Sequence, residues 1–319
     1  MNKRRLIITI IFLVLVITSL LVGVDQRVNV VNLFRLDGEA WRIFLLSRFP
    51  RTFVIILTAT SISIAGMIMH ALGRNKFISP STAGTTDAAM LGILIGYLLI
   101  PNQSNLIKFV FAFAFSMVAT LIFITIINHI KFKNAIYVPL IGMMFGGVIG
   151  AVATLIAQRF QILQVMTSIG VGSFAHISVI NAQLLLLLIP ALVIAGIFVQ
   201  KFNIIALGVD FAKSLGVNYG VVMVLGLIIV AMIASSTFIV VGPLPFLGLI
   251  VPNLMSIYYG DNMKKNFIDV ALFGSSFVLL NDIVSRLLQF PGETPISFTM
   301  GVSGAVIFFY LIFRKVRAK

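Results

Sequence analysis

Two arginines flanking a proline, Arg48-Phe49-Pro50-Arg51, are the most chemically pointed arrangement in this sequence. Proline can open a helix at its first position, and the guanidiniums on either side then present forks that suit carboxylates. With Arg27, Arg35 and Arg42 they make a basic segment ahead of a long apolar run. Two readings fit such a segment: contact with phosphate headgroups and interfacial snorkelling, or docking of an acidic partner. Farther along, Asp282 and Arg286 stand four residues apart, a spacing that lets a carboxylate orient a guanidinium one helical turn away.

Reactive chemistry is otherwise scarce. With no Cys, disulfides, thiolate metal sites and iron-sulfur ligation are excluded. His70, His129 and His176 show neither an H-E-x-x-H pattern nor any i, i+4 pairing, which argues against a protein-built metal site. No G-x-x-x-x-G-K-[ST] phosphate loop is present, so the chain has no Walker-type site for splitting ATP. Neither a D-D-x-x-D pair nor a closely spaced nucleophile and base appears, and enzyme is the weakest class. Of nine acidic residues, Asp87, Asp269, Asp282 and Glu293 fall in or beside apolar runs. A carboxylate at membrane depth is by default a functional candidate, which keeps a proton- or ion-coupled carrier open. Each of the four lies near the end of a run, where water can hydrate it.

The elements that must position these groups are membrane spans. With 60% hydrophobic and 10% charged residues, and a mean hydropathy of +1.13, the chain has too little polar surface to cover a water-soluble globule. The +14 charge does not point to nucleic acid, because the basic residues punctuate apolar runs instead of clustering on a soluble face. Runs near the roughly 20 residues needed to cross a hydrocarbon core occur at 6–24, 52–72, 84–100, 106–128, 136–158, 181–200, 219–241, 244–259, 267–289 and 295–313. The expected fold is therefore all-α, a polytopic membrane protein of ten spans. The eighth is short and carries Pro243, Pro245 and Pro252, so a broken or re-entrant helix is expected there. Met1-Asn2-Lys3-Arg4-Arg5 resembles the basic region of a signal peptide, but no small-x-small cleavage pattern follows before Asp25, and the first run is kept as a span. Ten spans put both termini on one side. That side holds fifteen of the 23 Lys and Arg residues, which makes it cytoplasmic. Trp41 and aromatic span ends fit interfacial anchoring in lipid.

Between the sixth and seventh spans, Leu207, Phe211 and Leu215 recur at i, i+4, i+8 with Gly208 and Gly216 near the ends, the pattern of a short amphipathic helix. It could lie on the lipid interface. In the fifth run Gly142, Gly146 and Gly150 repeat every four residues and allow another backbone to approach one face.

Taken in order, several stretches resemble the iron-siderophore and cobalamin permease family of ABC importers. They are Arg48-Phe49-Pro50-Arg51, Arg74-Asn75-Lys76-Phe77-Ile78-Ser79-Pro80, the segment from Leu207 to Gly216, Pro245-Phe246-Leu247-Gly248-Leu249-Ile250-Val251-Pro252-Asn253, and Asp282 to Arg286 with Glu293-Thr294-Pro295-Ile296-Ser297. The overall wording is most similar to the branch that serves catecholate- or petrobactin-type siderophores in Gram-positive cells. The chain departs from the family where Asn253 replaces a usual His, Lys76 a common Pro and Ser297 a common Gly.

The resemblance implies one permease domain over residues 1–319, ten helices per subunit, and two permease subunits around a central pathway, paired as a homodimer or with a sister chain. It implies cytoplasmic ATPase subunits, an extracytoplasmic substrate-binding lipoprotein, and ferric chelate as cargo, with no cofactor in the permease. Arg48, Arg51 and Arg286 match the positions that grip acidic residues of the binding protein. Residues 204–217 match the coupling loop seated in the ATPase, with Leu207, Gly208, Asp210, Phe211, Ala212, Leu215 and Gly216 as its contacts. The family usually carries two acidic residues after the first glycine, where this chain has Val209 and Asp210. Gly142, Met143, Gly146 and Gly150 would lie beside the pathway, Met143 and Met144 offering an adaptable wall, and Asn134 and Ile136 in the loop before them at the cytoplasmic gate.

Overall fold

Helices coincide with all ten expected spans in the computed structural model, which describes residues 3–23, 37–100, 104–129, 137–175, 177, 181–290 and 292–317. In chain order they are α1 (Lys3–Leu21), α2 (Gly38–Leu72), α3 (Thr85–Leu99), α4 (Asn105–His129), α5 (Tyr137–Arg159), the short α6 (Leu163–Ile169), α7 (Leu188–Ile205), the short α8 (Val209–Ser214), α9 (Tyr219–Val240), α10 (Leu247–Tyr259), α11 (Met263–Leu288) and α12 (Ile296–Arg317). Seven are long and apolar enough to cross a membrane, and α3, α10 and α12 are shorter apolar helices.

The second span departs from expectation at its start. Its helix runs back through Arg51, Pro50 and Arg48 to Gly38, and Pro50 keeps the expected place in the first turn of the α-helical stretch Phe49–Leu72. Proline has no N–H to donate to the preceding turn. The ladder widens just before it: Phe44–Arg48 is π-helical, and the Phe49 amide reaches back to the Phe44 carbonyl. The eighth span is short, as expected: a 13-residue helix not interrupted at Pro252, preceded by irregular backbone in which Phe246 adopts a left-handed conformation. A 3-10 segment of seven residues, Asn181–Leu187, opens the sixth span, which was expected as plain α-helix.

The buried centre is α2, with α9, α10 and α11 packed around it, while α1, α5 and α12 lie outside and present apolar faces. A lipid environment leaves little hydrophobic drive between helices, so close fit and small residues must hold them together. Gly66 of α2 lies against the Gly248 backbone of α10 so tightly that a Cβ there would strike the Gly248 carbonyl. Polar side chains add interhelical hydrogen bonds: Thr60 to Ser275 at 3.0 Å joins α2 to α11, and Thr85 to Thr120 at 2.8 Å joins α3 to α4. Each such bond stabilises by roughly 0.6 kcal/mol. At one end of the bundle Arg5 pairs with Asp269 at 2.8 Å and ties α1 to α11, which gives one of the four span-associated carboxylates a structural partner.

Candidate functional site

The three arginines singled out from the sequence come together, together with the two acidic residues nearest them in the candidate set. Arg51 on α2 donates to Asp282 Oδ1 and to Glu293 Oε1, both at 2.7 Å. Arg286, one turn beyond Asp282 on α11, takes the other Asp282 oxygen, as the four-residue spacing suggested. Its guanidinium also donates to the carbonyls of Ser19 and Val22 at the end of α1, at 3.0 and 2.8 Å. Arg48 donates to the same Val22 carbonyl. Gly23 is small enough for the Arg48 guanidinium to lie where a Cβ would be. The loop leading to α12 is fixed by Thr294, whose amide and hydroxyl both donate to the Ser285 carbonyl at 3.1 Å.

The consequence is a clamp between α1, α2, α11 and the α11–α12 loop. Asp282 is fully buried, and Arg48 and Arg286 are 7% and 4% exposed. The arginines therefore do not stand as open forks on a surface: they face inward, toward carboxylates and carbonyls of their own chain. Charges this deep are tolerated only when paired and hydrogen-bonded. Asp282 pairs two of the guanidiniums by bridging them, while the Nε atoms of Arg51 and Arg286 are buried without a hydrogen-bond partner among the described residues.

The 207–216 segment has the shape its pattern implied. α8 is a six-residue helix, with Gly208 at its N-cap (φ 116°) and Gly216 past its end (φ 69°). Ala212 is fully buried and anchors it, and the Val217 amide closes on the Ala212 carbonyl at 2.9 Å. Leu207, Phe211 and Leu215 are 65%, 49% and 54% exposed, and Asp210 beside them is exposed too. Three large apolar side chains held outward by a buried alanine make an unpartnered knob.

Along α5 the glycines divide. Gly142 abuts the Thr82 carbonyl, and a Cβ on Gly146 would lie 2.6 Å from Asp87 Oδ2 and 3.2 Å from Gly84, so these two let α5 pack on the start of α3. Gly150 has nothing within 4 Å among the described residues. Met143 and Met144, on the other face, are 57% and 65% exposed. Asn134 and Ile136, with the rest of the loop before α5, lie outside the described residues.

One cluster at the α8 end of the bundle has no sequence pattern behind it. Lys76 Nζ donates to Ser256 Oγ at 2.8 Å and pairs with Asp261, while Asn253 Nδ2 donates to the Lys76 carbonyl at 2.6 Å. Lys76 and Asn253 are two of the three departures noted above. Only that coincidence of departures could have hinted at a contact across 177 residues.

A family model described as the FecCD transport family matches residues 6–314, nearly the whole length. The chain belongs to the FecCD transport family. Among curated relatives of this FecCD chain, the petrobactin import system permease protein YclN of Bacillus subtilis (strain 168) is 40% identical over 306 residues, covering 96% of each chain. The ferric-anguibactin transport system permease protein FatD of Vibrio anguillarum is 34% identical, covering 96% of this chain and 98% of its own. The petrobactin import system permease protein FatD of Bacillus anthracis is 33% identical, covering 95% and 91%. Among solved structures, a metal-chelate type ABC transporter in an inward-facing conformation aligns with a TM-score of 0.81 at 20% identity, covering 98% of this chain and all of that one. The FecCD chain is accordingly a multi-pass permease subunit of an ABC importer, and ATP hydrolysis belongs to a separate subunit.

Proposed function

We propose that this permease carries iron-siderophore chelates of the petrobactin type into the cell, receiving them from an extracytoplasmic binding protein and driven by cytoplasmic ATPase subunits that seat α8. The observation that carries the reading is the 40% identity to a petrobactin permease over 96% of both chains. The exposed knob of Leu207, Phe211 and Leu215 supports the drive, since an apolar trio on a charged cytoplasmic loop calls for a partner cleft. The balance of Lys and Arg supports cytoplasmic termini and places α8 on the same side. A second permease subunit would cover the apolar face of α5 that carries Met143 and Met144 and complete the pathway between them.

At the other end, docking of the binding protein falls to the clamp of Arg48, Arg51 and Arg286. Because Arg51 and Arg286 already hold Asp282 and Glu293, an arriving carboxylate engages them by exchange: Glu293, the partly exposed member, gives up Arg51 while buried Asp282 keeps both guanidiniums in place. Docking at this clamp thereby reaches α1, α2 and α11 together.

The test is uptake of ferric petrobactin into vesicles holding the permease and its ATPase, with binding protein outside and ATP inside. Uptake that requires all three components is expected. Uptake by the permease alone, without ATPase, would contradict the reading and favour a self-contained carrier.

A further inference from the structure

A cavity of about 250 Å³ opens beside α8, where three connections on that end of the bundle converge. It is walled by His70 and Arg74 from the end of α2, by Leu207 ahead of α8, and by Asp261, Met263 and Asn266 at the start of α11. The Nε2 atom of His70 and the Oδ1 atom of Asn266 are buried without hydrogen-bond partners among the described residues. Buried polar groups are paired in nearly all native structures. His70 in its Nε2–H tautomer can donate to an oxygen of an occupant, whereas Asn266 Oδ1, whose amide nitrogen is held by the Gly260 carbonyl, needs a donor such as water.

Charge narrows the choice. Asp261 is already matched by Lys76. Arg74 is exposed and makes no ion pair among the described residues. It sits in a left-handed conformation (φ 46°), uncommon for a side chain of this size, and Nη1 lies 3.5 Å from where a Cβ on Gly208 would be. The unpaired cation is thus held at the root of the coupling segment. Around it the three connections (73–83, 201–218 and 260–266) hold six basic residues, Arg74, Lys76, Lys201, Lys213, Lys264 and Lys265, against two acidic ones, Asp210 and Asp261. Such a face selects an acidic counterpart. Leu207 belongs both to the cavity wall and to the exposed apolar knob, so whatever seats α8 also covers the cavity mouth.

We propose that this cavity is a socket for an acidic side chain of the ATPase subunit, whose carboxylate pairs with Arg74 while α8 occupies the ATPase cleft. This rests on the reading of α8 as the coupling element. It adds a second grip, by which movement of the ATPase is transmitted to the end of α2, the most buried helix, as well as to α7 and α9 flanking α8.

The experiment titrates the ATPase onto the full-length permease in lipid nanodiscs at several salt concentrations. Arg74→Glu is expected to weaken association by roughly fivefold or more. Arg74→Asn, which tolerates the left-handed turn, should flatten the salt dependence. A carboxylate-to-lysine exchange in the ATPase cleft should restore binding to Arg74→Glu. Phe211→Ala serves as the control for the coupling reading. If Phe211→Ala weakens association and Arg74→Glu does not, the socket is overturned and the coupling helix stands; if neither weakens it, the coupling reading fails first. Inorganic phosphate that raises the melting temperature of the permease alone, and loses that effect in Arg74→Asn, would make the cavity a free-anion site and also overturn the proposal.

Discussion

Asp282 is the single residue on which most of the candidate docking site depends. It is fully buried and bridges Arg51 and Arg286, so Asp282→Asn leaves two guanidiniums in a low-dielectric setting with half their compensation removed. Breaking a buried pair from one side costs about 3–5 kcal/mol. Glu293 is partly exposed and shares Arg51 with Asp282, so Glu293→Gln should cost less than Asp282→Asn. Thermal unfolding of the two variants in detergent checks the difference, and equal melting temperatures would show that Asp282 is not the keystone of the clamp. Of this site, the Asp282–Arg286 pair was legible because four residues along a helix is one turn. The Arg51–Glu293 contact was not, since 242 residues separate the two and nothing local encodes their meeting. The inward turn of the arginines was hidden for the same reason. A sequence shows that cations flank a span, and only the packed helices show that carboxylates and the α1 carbonyls reach them first.

Helices were legible wherever an apolar run was long, because lipid admits little else. What the runs could not carry was the fit between them. Gly66→Ala would push a methyl into the Gly248 carbonyl, and overpacking of this kind costs typically 1–3 kcal/mol. Gly150→Ala, with nothing within 4 Å among the described residues, should hold or slightly raise the isolated chain's melting temperature, since Ala is the better helix former. The two glycines look alike in sequence, and a stability assay that failed to separate them would contradict the packing described. The α2–α3 connection is a second case. Burial alone would raise the Asp261 carboxyl, but hydrogen bonds from Lys76 and Ser256 and the Lys76 charge outweigh it and hold it below the usual carboxylate range. A depressed folded value means that the Lys76–Asp261 pair contributes above the unfolded pKa near 4 and is lost as pH falls through the folded value. Both side chains are about half exposed or more, so the pair is worth less than about 1 kcal/mol. Hydrogen-exchange protection of Ile78 and Ser79 should therefore drop below about pH 4, by up to roughly fivefold. In Asp261→Asn the drop should already be present at neutral pH. Protection unaffected by either change would show that the Lys76–Asp261 pair does not hold the α2–α3 connection.

For the whole molecule, division of labour follows from what the chain lacks and what it exposes. Without a phosphate loop it has no Walker site for ATP. Three of the four span-associated carboxylates that a proton-driven carrier would need, Asp269, Asp282 and Glu293, are held in ion pairs with Arg5, Arg51 and Arg286. Asp87 faces Gly146 of α5 and makes no ion pair among the described residues, which leaves it the carboxylate a proton-driven carrier would use. ATP-driven transport needs no such relay, and Asp87→Asn is expected to leave uptake within about twofold. On the proposed reading, the apolar knob on α8 and the basic rim around it take motion from the ATPase subunit. Replacing Phe211 and Leu215 together by Ala keeps the buried anchor Ala212 and the flanking glycines, so the helix survives while its contact surface is removed. The decisive measurement is ATP-dependent uptake of ferric petrobactin by vesicles carrying that double variant with its ATPase and binding protein. Loss of uptake by at least tenfold, the cost of removing one well-buried interface anchor at about 1.4 kcal/mol, with normal membrane insertion, is the expected result; undiminished uptake would contradict the account.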